Sequence, residues 1–261
     1  MELWVRAVGV LGPGLDGWTA TRAILAGLEP YSARPTKKPI PDVLPATERR
    51  RSGEASRLAI AVAQEAVSAS RIPSQELATV FASSDGDGDI THKICGSLAG
   101  TDRDVSPTLF HNSVYNAPAG YWSIATGSRS GSTSVCAYDL SFAAGLLEAA
   151  VQVTVERQPV MLIASDLPFP APLHAARPVD QSFAVALLLA PHEIGTPLMR
   201  WDITLEAYRT PTAWPSGPGN SLRNNPAARC LPLLAALAGG GSPIVSLDYL
   251  DHSSLVVACE V

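Results

Sequence analysis

Charge is scarce in this chain, and neither sign of it is concentrated. Only 16% of the 261 residues are Asp, Glu, Lys or Arg, the net charge is −5, and the longest basic run is Arg49–Arg51. A nucleic-acid partner needs a basic field, so none is expected. No run of about 18 apolar residues occurs, which leaves no candidate transmembrane helix. The opening MELWVRAVGV has neither a basic stretch nor a cleavage site, so no signal peptide is expected. Cysteine is sparse too: Cys95, Cys136, Cys230 and Cys259 are scattered in apolar contexts, which predicts reduced thiols in a cytoplasmic protein. There is no internal repeat. What abounds is apolar side chain, at 46% of the sequence. That is enough for a well-buried core, or for surface kept for a partner. The length allows one large domain or two small ones.

Patterning along the chain predicts an α/β layering. Strands are expected at Leu3–Leu11, Leu77–Ser83, Ser132–Ala137, Pro159–Ser165 and Ser182–Ala190. An edge strand is expected at Leu198–Tyr208, and a closing hairpin from Ile244–Leu247 and Ser254–Cys259. Helices are expected at Trp18–Leu28, Ser52–Ser70, Ile90–Leu98, His111–Thr126, Leu140–Glu156 and Pro226–Ala238. The second of these carries Leu58, Ala59, Val62, Ala63, Ala66 and Val67 at helical spacing. Glu29–Ala46, Ser106–Phe110 and Thr210–Asn225 read as loops.

Several motifs invite a functional reading and also have a plainer one. Gly12, Gly14 and Gly17 match dinucleotide-binding spacing after a strand, but the second strand ending in an acid does not follow, which favours a Gly-rich turn. Asp85, Asp87 and Asp89 resemble the start of a calcium loop. The next glycine is replaced by Ile90 and the closing glutamate by Gly96, so a turn capping the next helix is favoured, and no metal site is expected. His92, His111, His174, His192 and His252 form no recognisable ligand set, and Asp251-His252-Ser253 reads as a turn.

The most informative stretch is His111–Ala150, which reads as helix, tight turn, buried strand, sharp corner and buried helix. Ala and Gly crowd the first helix around Tyr121 and Trp122. Phe142–Ala150 is almost wholly small and apolar, as a helix buried on most sides requires. A strand breaking into such a helix at a corner is a place where enzymes hold nucleophiles. Cys136 lies there but before the helix begins, so a buried, inert thiol is favoured over a nucleophile. Asp139 stands where a structural N-cap is expected. The alternative is a charged group in a vacated nucleophile place.

This layout resembles the nucleophile region of β-ketoacyl synthases, members of the thiolase-like superfamily. Asn116, Gly120, Gly127 and Arg129 fall at the family's spacing, and ERRRSGEASRLAIAVAQEAV from Glu48 and LATVFASSDGDGD from Leu77 resemble its early helix and its strand with Gly-rich turn. The resemblance covers roughly Leu3 to Ala190. It implies a thiolase-like α/β half, a mixed β-sheet packed between helices, in a single truncated domain over residues 1–261. Counting from Asn116 and Arg129 puts Asp139 at the nucleophile position; counting back from Gly145 puts Ala137 there; Cys136 falls at neither. The family's two histidine motifs are not found.

The resemblance therefore implies a chain without catalytic residues and without a cofactor, similar to the chain length factor of aryl polyene synthesis. Its partner would be an active β-ketoacyl synthase, with acyl carrier protein served through that heterodimer. The implied dimer interface comprises Asn116, Tyr121, Trp122, Ala125, Ser132, Thr133, Ser134 and Val135, and the implied acyl-tunnel gate comprises Leu109, Phe110 and Tyr115. Two other readings stay open: a minimal acyltransferase using Cys136, and a scaffold homodimer.

Overall fold

The computed structural model describes residues 1–192 and 196–261. Strand β1 (Glu2–Gly12) turns back through the short β2 (Leu15–Asp16) into helix α1 (Trp18–Leu25). After the Pro-rich loop come α2 (Ala46–Arg51), α3 (Glu54–Ser70), β3 (Ala78–Ala82), α4 (Gly88–Ala99), α5 (Pro107–Asn112) and α6 (Ala117–Thr126). Then follow β4 (Ser132–Val135), α7 (Ser141–Glu156), β5 (Val160–Asp166), α8 (Leu173–Ala176), β6 (Phe183–Ala190), β7 (Met199–Ala207) and α9 (Pro218–Leu222). A 3-10 turn at Pro226–Cys230, α10 (Leu231–Gly239), β8 (Ile244–Asp248) and β9 (Ser253–Glu260) complete the chain.

The strands form one mixed sheet in the order β4-β3-β5-β6-β1-β7-β9-β8, with β2 paired onto β1. β4, β3 and β5 are parallel, and the pairings from β5 to β8 are antiparallel. Strand side chains alternate between faces, and both faces are apolar. Val80, Leu162, Val185 and Leu187 face one core with Phe142, Leu146 and Val153 of α7 and Leu234 of α10. Phe81, Met161, Ile163 and Leu188 face a second core with Leu58, Val62 and Ala66 of α3 and Tyr121 and Trp122 of α6. The near-continuous hydrophobic runs of β5 and β6 have this cause: a strand covered on both faces needs no polar side.

Several elements differ from expectation; α9 lies inside the loop expected at Thr210–Asn225. The helix expected over His111–Thr126 is two helices, α5 and α6, with a turn at residues 113–116, and α5 takes in part of the loop expected at Ser106–Phe110. Pro118 has no N–H to give the preceding turn, and its ring disfavours helix there, while Pro107 is suited to a first turn. β7 is not an edge strand, because the β8–β9 hairpin pairs outside it. Its partial alternation reflects one solvated face, where Asp202 and Thr204 are exposed.

The layers approach closely where glycine permits. A Cβ at Gly9 of β1 would sit 2.0 Å from the Val62 carbonyl oxygen of α3, and one at Gly145 of α7 would sit 2.8 Å from the Ala82 Cβ. Backbone cannot yield as a side-chain tip can. Gly9→Ala is therefore expected to destabilise the fold by at least about 2 kcal/mol. Gly96→Ala, in α4 with open space around it, is expected to stabilise by about 0.5–1 kcal/mol. Urea unfolding of the two variants checks both signs.

Candidate functional site

The parallel strands β3, β4 and β5 end together, and ligand sites of open α/β sheets lie at such carboxyl ends. Ser83 and Ser84 follow β3, Cys136 and Ala137 follow β4, and Asp166 closes β5. Asp166 is buried and organises the group. Its Oδ1 accepts from the Ser84 N–H (2.8 Å), the Ser84 hydroxyl (2.7 Å) and the Ser83 hydroxyl (3.2 Å), and its Oδ2 accepts from the Ala227 N–H (3.0 Å). Asn225 Nδ2 donates to the Asp166 carbonyl at 3.2 Å. Burial pushes the Asp166 carboxyl up to about 6 against these hydrogen bonds, which pull it down.

At the corner between β4 and α7, Cys136 is exposed, not buried as expected. The cause is that β4 is the terminal strand of the sheet, with nothing stacked beyond it among the described residues. The Cys136 thiol donates to the Ser84 carbonyl at 3.2 Å. Interaction with that thiol, then partial burial, push the Tyr115 phenol above its ordinary pKa. No histidine lines the cavities at this corner among the described residues. His174 pairs with Asp180 at 2.7 Å, and His111 meets the Tyr121 ring edge-on. His92 lies on α4, and His252 in the β8–β9 turn.

Asp139 does not cap α7. The 3-10 turn Tyr138–Leu140, with Tyr138 at φ 53°, turns its carboxylate away from the helix. It pairs instead with Arg177 (2.8 Å) and Arg229 (3.7 Å). Ser141 closes the corner: its hydroxyl accepts from the Ala137 N–H at 3.0 Å and donates to the Tyr138 carbonyl at 2.6 Å. The Arg177 guanidinium lies 3.7 Å from the centre of the Tyr138 ring.

The tunnel candidates are not gathered into one place. Leu109 lines a cavity of about 650 Å³, together with Ile90 and Leu167 but also Lys38, Arg51, Arg57 and Asp87. Tyr115 lines a separate recess with Gly86, Pro118 and Val135, and Phe110 is 67% exposed. Of the interface candidates, Tyr121 and Trp122 are corrected: they are 1% and 3% exposed and fill the core against α3, so neither ring is available to a partner. Ala125 is half-buried against the same core, whereas Asn116, Ser132 and Ser134 are exposed and Thr133 and Val135 half-buried. The exposed apolar side chains of these elements are Val114, in the turn before α6, Ile124 of α6 and Val151 and Val155 of α7, and both helices contact β4.

The other motifs resolve to structure. Asp87 is the N-cap of α4, accepting from the Ile90 N–H at 3.2 Å. Gly12–Gly17 is the β1–β2 turn, and Glu65 of α3 takes the Trp18 N–H at the start of α1, where a phosphate would have to sit. Sequence reasoning missed Asp166, Arg177 and Arg229. A lone carboxylate ending the apolar run VMLIASD was a usable signal for Asp166; the arginines arrive from distant segments and carried none.

Comparison with known proteins bears on this site. The family model of the β-ketoacyl synthase N-terminal domain matches residues 26–237, extending past Ala190. No curated protein matches the chain. Among solved structures, a chain of the ketosynthase in complex with its chain length factor from Xenorhabdus doucetiae aligns at 24% identity, over 99% of this chain and 99% of that one, with a TM-score of 0.75. A chain of the ishigamide ketosynthase/chain length factor aligns at 13% identity over 100% and 99%, with a TM-score of 0.71. A chain of a type II polyketide synthase complex of acyl carrier protein with its ketosynthase aligns at 14% identity over 99% of each, with a TM-score of 0.74. These likenesses show the fold to be the thiolase-like ketosynthase fold. Among the described residues, no helix is long and apolar enough to cross a membrane.

The raised Asp166 carboxyl sets a pH dependence. The folded state holds this proton more tightly than the unfolded chain, so the associated stability is full below about pH 4 and is lost as pH rises through about 6. The loss is about 3 kcal/mol. Asp166→Asn should remove that component from a stability–pH profile measured by urea unfolding.

Proposed function

Because this chain belongs to the β-ketoacyl synthase family by its N-terminal domain, we propose that it is a chain length factor, the non-condensing partner of an active β-ketoacyl synthase. The observation that carries this reading is the corner between β4 and α7. A condensing site needs a thiolate beside a base. Here the Cys136 thiol donates to a backbone carbonyl and not to a base. No histidine lines the adjoining cavities among the described residues, and Ala137 and Asp139 stand at the positions that the family spacing gives to the nucleophile. The partner subunit would supply the nucleophile and both histidines, and acyl carrier protein would deliver substrate to the pair. Polyene synthesis of the aryl polyene type is the product class proposed.

The interface proposed is the open edge of β4, Ser132 to Val135, with α6 and α7 beside it. A terminal strand leaves a row of backbone donors and acceptors unpaired. Val114, Ile124, Val151 and Val155 give apolar surface to bury around it, and obligate interfaces commonly bury more than about 2,000 Å². Asn116 at the start of α6 belongs to the same surface. Leu109, Phe110 and Tyr115 are proposed as the gate, because a growing chain stops where side-chain volume fills its path. The exposure of Cys136 favours one second reading, an acyltransferase that uses this thiol.

The purified chain is expected to show neither condensation nor malonyl decarboxylation, and to form a stable complex when co-expressed with a ketosynthase. Turnover by the chain alone that disappears in Cys136→Ala would establish the acyltransferase instead. Ile124→Asp should abolish the complex on size exclusion while changing the chain's own stability by no more than about 0.5 kcal/mol, since the site is exposed. In the reconstituted pair, at least one of Leu109→Ala, Phe110→Ala and Tyr115→Ala should lengthen the product by about one two-carbon unit, which needs roughly 2.5 Å of extra depth. Mass spectrometry reads the length; three unchanged distributions with intact complexes would place the ruler in the partner.

A further inference from the structure

Beside the same corner lies a cavity of about 180 Å³ that the chain-length reading does not use. Three arginines line it, Arg177, Arg223 and Arg229, with Tyr138, Asp139 and Asn224. They come from two segments remote in sequence, the one after α8 and the one after α9. Arg177 is held hardest: its guanidinium stacks on Tyr138, its Nη2 donates to Asp139 at 2.8 Å, and its Nε is buried without an acceptor among the described residues. Arg229 is held between Asp139 and Asp248, the latter at 2.9 Å. Arg223 is exposed and makes no ion pair among the described residues. Three permanent cations thus stand with Asp139 within the cavity and Asp248 outside its lining, and Asp85 also feels the charge of Arg177.

Packing accounts for Arg177 and salt bridges for Arg229, but neither accounts for the third cation aimed at the same space. Like charges held together raise the energy of the site until an anion offsets them. A planar carboxylate is satisfied by one guanidinium fork, whereas a phosphate offers three acceptor oxygens to forks arriving from several directions. A second cavity of about 470 Å³ shares Arg223 and Arg229 and is otherwise walled by Trp214, Pro211, Pro215 and Thr212, among others. That is room for the rest of a ligand, between walls that are partly apolar (Pro211, Trp214, Pro215) and partly polar (Thr212, Asn220). We propose that the arginine cavity binds the phosphate of a phosphate ester, whose organic part lies in the second cavity. The ester has two sources, a free small molecule or the phosphopantetheine arm of a carrier protein; the second rests on the function proposed above.

The test is calorimetric titration of the full chain at constant ionic strength with inorganic phosphate, pantetheine 4′-phosphate and pantetheine. Both phosphates should bind saturably, pantetheine 4′-phosphate more tightly, and pantetheine should not. Arg223→Gln removes an exposed, unpaired charge and should weaken both by about tenfold while leaving complex formation with a ketosynthase unchanged. Absence of saturable binding by either phosphate, or equal binding to Arg223→Gln, overturns the proposal even if the ketosynthase complex forms. Tighter binding of phosphopantetheinylated than of apo carrier protein, lost in Arg223→Gln, identifies the arm as the source; equal binding of the two carrier forms, with retained affinity for free pantetheine 4′-phosphate, identifies the free ester.

Discussion

A carboxylate taken out of water at the end of a strand has to be surrounded by donors, and Asp166 recruits them from two separate segments. Ser83 and Ser84 come from the end of β3, and Ala227 from the 3-10 turn before α10. The parallel strand ends are thereby tied to the C-terminal part of the chain, and the corner that carries Cys136, Tyr138 and Asp139 is built on that tie. Ser84 also offers the carbonyl that engages the Cys136 thiol. Burial opposes the charge on Asp166 even with four donors around it, so the junction trades stability near neutral pH for a fixed geometry.

The other governing feature is that the sheet stops at β4. A sheet with helices on both faces has only its two edges left to offer. At one of them β8 closes a hairpin with β9; at the other β4 ends beside apolar side chains of α6 and α7 that remain in water. In the proposed pairing with a ketosynthase, this open, apolar-flanked strand is the edge that the partner subunit would complete.

Much of the fold was legible because each buried element repeats its burial in its own sequence. The helical spacing in α3, the small apolar run of α7 and the continuous apolar β5 and β6 all report local burial. The resemblance to β-ketoacyl synthases likewise rested on local spacing around Asn116, Gly127 and Arg129. The site was less legible because its residues meet from afar. Nothing near Asp139 announces Arg177 or Arg229, so a helix cap was the natural local reading. Tyr121 and Trp122 show the same limit: a bulky residue on an Ala/Gly-rich helix fits a core and an interface equally well, and only the position of α3 decides for the core. The neighbours of Cys136 are apolar and favour burial, whereas its exposure depends on the sheet ending at β4, the strand it follows.

The central claim is that the β4 edge is completed by a different, catalytically competent subunit. Backbone hydrogen exchange across Ser132–Val135, compared between the isolated chain and its complex with a ketosynthase, tests it most directly. The account predicts that the β4 amides pointing away from β3 exchange readily in the isolated chain and become protected in the complex. A stable complex in which these amides exchange as fast as before would place the partner elsewhere and contradict it.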